Sequence, residues 1–158
     1  SRGPRYRDFR QAMGDFHLGA LRSWLAETRN RDEAAFQAVL TAMRLASQDQ
    51  TKSSQIHQAK LHAAEVPFEL ISCARKLQDA CDLCLKYGKS SLRSDAEVAR
   101  ILVEAAATAA MTQVATNLDG VDPKPDFVAG AAALVQQIQE LGELQNSPTS
   151  QKLDLDKH

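Results

Sequence analysis

Six polar side chains stand at the ends of predicted helices or on otherwise apolar helix faces. They are Asp32, Glu65, Ser94, Asp95, Gln113 and Asn117. A positioned carboxylate can take a proton from a reacting group and return it, and amides or hydroxyls can orient a substrate. Each of these residues also has an ordinary explanation as a helix cap or a solvated side chain. The residues alone therefore leave catalysis open beside a plain helical bundle.

The segment SLRSDAEVAR (91–100) shows this choice most clearly. Ser94 and Glu97 have the S-x-x-E spacing of a capping box, in which each side chain bonds the other residue's backbone amide. Asp95 can then either complement the positive helix N-terminus, worth about 0.3–1 kcal/mol, or act on a ligand. Spacing alone favours the capping explanation.

Cysteine and histidine spacings give little support for metal or redox chemistry. Cys81 and Cys84 form a CxxC pair, which could hold a metal or cycle as a disulfide, but no second ligand pair is nearby. Buried free thiols are the favoured interpretation. His57 and His62 are five residues apart and do not share a helix face in good register. We therefore predict no metal site from these residues, with metal ligation by the histidines as a minor alternative.

Charge and hydropathy exclude some partner classes. The 158 residues carry 19 basic and 20 acidic side chains, so no strong field favours nucleic acid or anionic lipid. No phosphate-binding glycine loop or GxSxG elbow is present. We also predict that no segment is apolar enough to span a bilayer, that no signal peptide opens the chain, and that the protein is cytoplasmic.

The periodicity of apolar residues predicts an all-α antiparallel bundle of about five helices. Abundant alanine and only 5% aromatic residues agree with this class. A single domain is expected over residues 1–145, followed by a mobile tail at 146–158. The third helix contains Pro67, which predicts a kink or a junction of two helices. The predicted ranges are about 5–28, 30–46, 53–87, 94–118 and 126–145.

Three segments in sequence order go beyond a generic bundle. They are DEAAFQAV (32–39), AAEVPFEL (63–70) and RSDAEVARILVEAA (93–106), followed by Asn117-Leu118. In order and spacing they resemble the cyclodeaminase/cyclohydrolase family. That family includes the cyclodeaminase half of formiminotransferase-cyclodeaminase and the bacterial methenyltetrahydrofolate cyclohydrolases. The resemblance covers about residues 20–128.

The resemblance implies an all-helical homodimer that binds a tetrahydrofolate derivative in a cleft lined by helix ends, with no metal or redox cofactor. It implies Asp95, and secondly Asp32, as acid–base carboxylates in cyclodeamination or cyclohydrolysis. The other implied folate-binding positions are Lys89, Arg93, Ser94, Gln113 and Asn117.

Two alternatives stay open. The family's proline-glycine-rich loop of the PGGGS type has no counterpart before Arg29, and the usual Asn and Arg late in the fourth helix are Gln113 and Ala115 here. The family's loop Asn before Ser-Asp is Lys89. These differences fit a catalytically impaired member that acts as a folate-binding or helical dimerisation module. A helical adaptor without a small ligand is the third class.

Overall fold

The computed structural model describes residues 4–45 and 51–146, which form five α-helices and no strand. The all-α prediction is therefore confirmed for this part of the chain. The helices are α1 (Pro4–Asp15), α2 (Leu18–Leu45), α3 (Thr51–Tyr87), α4 (Arg93–Asn117) and α5 (Phe127–Asn146). A 3₁₀ turn, Ser90–Leu92, leads directly into α4. The predicted mobile tail lies outside the described residues, apart from Asn146 at the end of α5.

The first two helices divide at a different place from the prediction. The sequence predicted a break near Asn30, but α2 runs through that position and the break lies at Phe16–His17. His17 has a positive φ of 46° and its amide bonds the carbonyl of Gly14 at 3.1 Å. Because α2 contains no glycine or proline beyond Gly19, the polar residues Asn30 and Asp32 do not stop the helix. Asp32 is thus a mid-helix residue.

Pro67 does not divide α3, so the expected kinked or broken helix is corrected to one continuous helix of 37 residues. Proline has no amide hydrogen, and in a helix this leaves the carbonyl four residues earlier without its backbone donor. The carbonyl of Ala63 instead accepts from the side-chain amide of Asn117, with Nδ2 to O at 2.8 Å. This substitute bond satisfies the exposed acceptor, so the helix can continue.

The helix α3 is the centre of the fold, with α2, α4 and α5 packed against it. Four long helices, α2 to α5, form the body of the bundle, and the short α1 packs mainly on α3. The bundle therefore has four main helices where about five were predicted. The contact between Asn117 and Ala63 joins the end of α4 to the first half of α3, so these helices are antiparallel. The main core lies between α3, α4 and α5, around Ile71, Val114 and Ile138.

A buried polar contact fixes α4 against α5. Arg100 is 4% exposed, and its Nη1 donates to the carbonyl of Gly142 at 3.1 Å. A cation near a helix C-terminus interacts favourably with the helix dipole. Gln78 of α3 donates to the carbonyl of Ile138 at 2.7 Å. Together these bonds hold α5 in place along the α3–α4 pair.

One helix is long and apolar enough to cross a bilayer by length and composition, contrary to the prediction. The segment Ser90–Asn117 contains an 18-residue window of mean hydropathy 1.2, of which 22% is buried. Core helices of soluble proteins meet the same two criteria. Such core helices are mostly buried, whereas most of this apolar window is not.

Candidate functional site

A pocket of about 200 Å³ lies between α2 and α4, with α3 as its floor. Its lining includes three residues singled out from the sequence, namely Asp32, Gln113 and Asn117. The remaining lining residues are Phe36, Ala63, Thr112 and Thr116. Residues from three helices, far apart in sequence, therefore meet at one place.

The pocket's polar groups are mainly hydrogen-bond acceptors and carry a negative charge. Nδ2 of Asn117 donates one hydrogen to the carbonyl of Ala63, so its side-chain oxygen and its second amide hydrogen can face a ligand. Thr112 and Thr116 donate to the carbonyls of Thr108 and Thr112, at 3.2 and 2.9 Å. Asp32 adds a half-buried carboxylate. Such a lining fits a ligand edge that is rich in N–H groups or cationic.

Phe36 gives the pocket an aromatic wall. Phe36 lines the pocket one helical turn after Asp32, and the residue is 56% exposed. A flat ring could stack on an exposed phenyl group, which would shield part of its apolar surface from water. Carboxylate and ring thus lie four residues apart, on the same face of α2.

An ion pair next to Asp32 fixes α2 on α3. Arg31 donates from both terminal nitrogens to Glu69, at 2.7 and 2.9 Å. These hydrogen bonds hold the pKa of Glu69 below its usual value, although burial opposes the shift. The bidentate geometry restricts the orientation of both side chains. This pair was not predicted from the sequence, because no spacing rule links residues on separate helices.

The remaining predicted site residues lie at the opposite end of α4. Asp95, Ser94, Arg93 and Lys89 are all exposed. Asp95 and Gln113 are separated along α4 by about 27 Å, at about 1.5 Å per residue. Within one chain the structure thus brings Asp32 together with Gln113 and Asn117, and leaves Asp95 far from them.

The predicted capping box is wrong. The helix α4 begins at Arg93, with Leu92 as the N-cap residue and no side-chain capping bond. The preceding 3₁₀ turn starts the helix early, so Ser94 is already inside the first turn. Glu97 instead accepts from Nε of Arg93 at 3.1 Å. Asp95 remains in the first turn, where a negative charge complements the helix dipole.

Glu65 and the cysteines lie outside the pocket lining. Glu65 is exposed and its Oε2 is 3.2 Å from Nδ1 of His62. Cys73 is buried, Cys81 and Cys84 are partly buried, and none forms a disulfide. Burial raises the pKa of all three thiols, which lowers their reactivity at neutral pH. No group of three or more potential metal-binding His, Cys, Asp or Glu residues was found in the described ranges.

Comparison with known proteins agrees with the family resemblance of the segments at 32–39, 63–70 and 93–106. A search of curated proteins found no match. The family model described as formiminotransferase-cyclodeaminase matches residues 5–137, which is most of the chain. This match includes every residue of the pocket and the whole of α4. The chain belongs to the formiminotransferase-cyclodeaminase family.

Proposed function

We propose that this chain binds a tetrahydrofolate derivative and converts its one-carbon unit, as a cyclodeaminase or a methenyltetrahydrofolate cyclohydrolase. The carrying observation is the pocket that unites Asp32, Gln113 and Asn117 with the exposed ring of Phe36. Membership of the family supports a folate-related activity of the cyclodeaminase type. The specific substrate, the residue roles and a cytoplasmic location are part of the proposal.

The pterin ring of the folate is the group that best fits this pocket. Its 2-amino group and neighbouring ring N–H form a row of donors, which a carboxylate can accept in a bidentate manner. We assign that role to Asp32, with Phe36 against the ring face. The volume of about 200 Å³ is smaller than typical pockets for drug-sized ligands, of about 300–1,000 Å³. The remainder of the folate would therefore extend out of the pocket along the exposed surface of α4.

The reaction needs two proton transfers. In cyclodeamination, N10 loses a proton and attacks the formimino carbon, and the departing nitrogen gains a proton and leaves as ammonia. In cyclohydrolysis, water adds to the cationic methenyl carbon and loses a proton. The bond from this carbon to N5 then breaks as N5 gains a proton and the new hydroxyl loses one, which leaves a formyl group on N10. A positioned carboxylate can serve each transfer, contributing about 10²–10⁴-fold. It also stabilises the cationic carbon electrostatically. We assign this role to Asp95 and keep Asp32 as the second candidate.

A folate-binding or dimerisation module without turnover is the second candidate function. It is favoured by the distance of about 27 Å that separates Asp95 from Gln113 within one chain. In that case the pocket holds the ligand, but the proposed acid–base group does not reach it.

The deciding experiment mixes the protein with methenyltetrahydrofolate and follows the loss of its absorbance, with thermal unfolding measured in parallel. Loss of absorbance that Asp95→Asn abolishes, without lowering the unfolding temperature, supports the enzyme. Ligand-induced stabilisation without decay supports the binding module. If neither occurs with methenyltetrahydrofolate or with formiminotetrahydrofolate, the proposed folate site is wrong.

A further inference from the structure

Three sulfur-containing side chains lie where α1 packs on the C-terminal half of α3, away from the candidate folate pocket. Cys81 and Cys84 are three residues apart on α3, and Met13 lies near the end of α1. Sγ of Cys84 is 3.9 Å from Sδ of Met13. Along α3 the cysteine pair begins about 27 Å from Ala63 of the pocket, at about 1.5 Å per residue. We call Met13, Cys81 and Cys84 the sulfur cluster.

The two cysteines lie on one face of α3. Residues three apart on a helix are neighbours, with about 5–6 Å between their Cβ atoms, and both thiols are free. Burial raises the pKa of Cys81 most, Cys84 and Asp82 raise it further, and Arg100 opposes the shift. The thiols of Cys81 and Cys84 are therefore close enough to act on each other electrostatically.

The distance between Cys84 and Met13 suits two sulfur ligands of one metal ion. Two sulfur atoms bound at about 2.3 Å, with an angle of about 110–120° at the metal, lie about 3.8–4.0 Å from each other. The observed distance of 3.9 Å falls in this range. The thioether therefore supplies a third ligand position, which the spacing of the cysteines in the sequence did not reveal.

The ligand types of the sulfur cluster select a soft metal ion. Thiolates and thioethers bind Cu(I), whereas Mg²⁺ and Ca²⁺ prefer oxygen ligands. A structural Zn²⁺ site needs four ligands, and no group of three or more His, Cys, Asp or Glu residues in the described ranges offers such a set. Cu(I) has no such requirement, because it is stable with two or three sulfur ligands.

The surroundings of the sulfur cluster suit a monovalent cation. All three side chains are partly buried, so the ion can enter from solvent and still be largely shielded from it. Cu(I) with two thiolates carries one net negative charge. The guanidinium of Arg100 acts on Cys81, and its positive charge reduces the cost of burying that negative charge.

We propose that Met13, Cys81 and Cys84 form a Cu(I)-binding site with two thiolate ligands and one thioether ligand. Each cysteine sulfur loses its proton as it bonds to the ion, so uptake of one Cu(I) releases two protons to water and changes no oxidation state. Sδ of Met13 donates a lone pair and loses no proton. The site depends on neither folate binding nor turnover.

A bound ion would also fasten α1 to the bundle. The helix α1 has only 12 residues, and isolated helices of that length are marginal in water. Its position therefore depends on its contacts with α3. Because the sulfur cluster contains ligands from both helices, Cu(I) should make the separation of α1 from α3 less frequent.

Competition with a chromophoric Cu(I) chelator, in the absence of oxygen, tests the site. We expect the wild type to take up one Cu(I) per chain, and Cys81→Ser and Cys84→Ser to lose this binding. Cys73→Ser is the matched control, because Cys73 lies on α3 outside the sulfur cluster, and it should bind normally. A wild type that takes up no Cu(I) overturns the proposal, and so does an equal loss in Cys73→Ser.

Met13→Leu tests the third ligand, because leucine preserves the apolar packing of α1 but cannot bind a metal. The affinity for Cu(I) should fall at least about 10-fold. Met43→Leu, at an exposed position of α2, is the control and should bind as the wild type does. X-ray absorption at the copper edge should show three sulfur neighbours in the wild type. Two sulfur neighbours, or an unchanged affinity in Met13→Leu, overturns the three-ligand site.

Limited proteolysis gives a measurement that does not depend on affinity. Arg7 and Arg10 are exposed on α1, so trypsin can cut there when this helix opens. One equivalent of Cu(I) should slow this cleavage in the wild type and leave it unchanged in Cys84→Ser, which also controls for an effect of Cu(I) on trypsin. Equal effects of Cu(I) on both proteins would contradict a metal link between α1 and α3.

Discussion

Asn117 replaces the backbone donor that Pro67 removes from α3, because its side-chain amide bonds the carbonyl of Ala63 at 2.8 Å. Two segments that lie far apart in the sequence, AAEVPFEL (63–70) and Asn117-Leu118, thus meet in one contact. The contact fixes the end of α4 on α3, and Asn117 also lines the pocket. Its first role is structural, and its oxygen remains for a ligand.

A double-mutant cycle measures this relationship. Asn117→Ala should lower the free energy of unfolding by about 1–3 kcal/mol, since it leaves a largely buried carbonyl without a partner. In a Pro67→Ala background the restored amide can bond Ala63, so the same substitution should cost less. A coupling energy of about 0.5–1.5 kcal/mol, measured by urea unfolding, is expected. Equal costs in the two backgrounds would mean that Asn117 acts independently of Pro67.

Substitution of the pocket carboxylate should affect the ligand far more than the fold. Asp32→Asn should weaken folate binding at least 10-fold, because an amide cannot accept two N–H donors as the carboxylate does. The unfolding temperature should change little, since Asp32 is only half-buried. Binding is measured by titration calorimetry. Glu33→Gln, at the exposed neighbouring position, is the control and should bind normally. Equal loss in both variants would point to overall charge rather than to the pocket.

The ion pair between Arg31 and Glu69 predicts a particular pH dependence. Its hydrogen bonds lower the pKa of Glu69 in the folded state, so its stabilisation is present above the unfolded pKa of about 4.3. That stabilisation is lost as the pH falls through the folded pKa. Because the side chains are 40% and 39% exposed, the contribution is at most about 1 kcal/mol.

The measurement compares wild type with Glu69→Gln by urea unfolding at pH 7 and at pH 3. The two should differ at pH 7 and approach each other as the pH falls towards 3, because protonation of the carboxyl group removes its charge. Added salt should narrow the difference at pH 7. A gap that persists unchanged at pH 3 would show that Glu69 stabilises by packing rather than by charge.

Two glycines of α5 should respond differently to alanine. A Cβ at Gly130 would meet nothing within 4 Å, so Gly130→Ala should raise the free energy of unfolding by about 0.5–1 kcal/mol through helix propensity. At Gly142 the same atom would lie 2.6 Å from Oε2 of Glu104. Glu104 must then move, and the gain should be smaller or absent. Thermal unfolding of both variants tests this, and a larger gain at Gly142 would contradict it.

Local pattern was enough to predict the helical class and most helix ends. The end of α3 at Tyr87 and the start of α5 near Asp126 were predicted because glycine and proline stop helices wherever they occur in a loop. The family was also recognisable from three short segments in order, and the family match confirms it. In both cases the information lies in residues that are close together in the sequence.

The misplaced boundaries have a common cause. Asn30 and Asp32 favour a helix start by their local hydrogen-bonding tendency, yet they lie inside α2, where packing on α3 outweighs that preference. Likewise Ser94 and Glu97 have the spacing of a capping box, but the 3₁₀ turn before them starts the helix at Arg93. Intrinsic preferences of a few tenths of a kcal/mol are readily overridden by tertiary contacts.

The sequence by itself determined which residues are candidates, since side-chain chemistry and helical period are local properties. Only the tertiary structure decided that Asp32, Gln113 and Asn117 line one pocket and that Asp95 lies at the far end of α4. It also showed that Asn117 serves a carbonyl that Pro67 leaves without its helical donor. The physical reason is that distances between helices depend on how their faces pack, and no spacing along one chain encodes that directly.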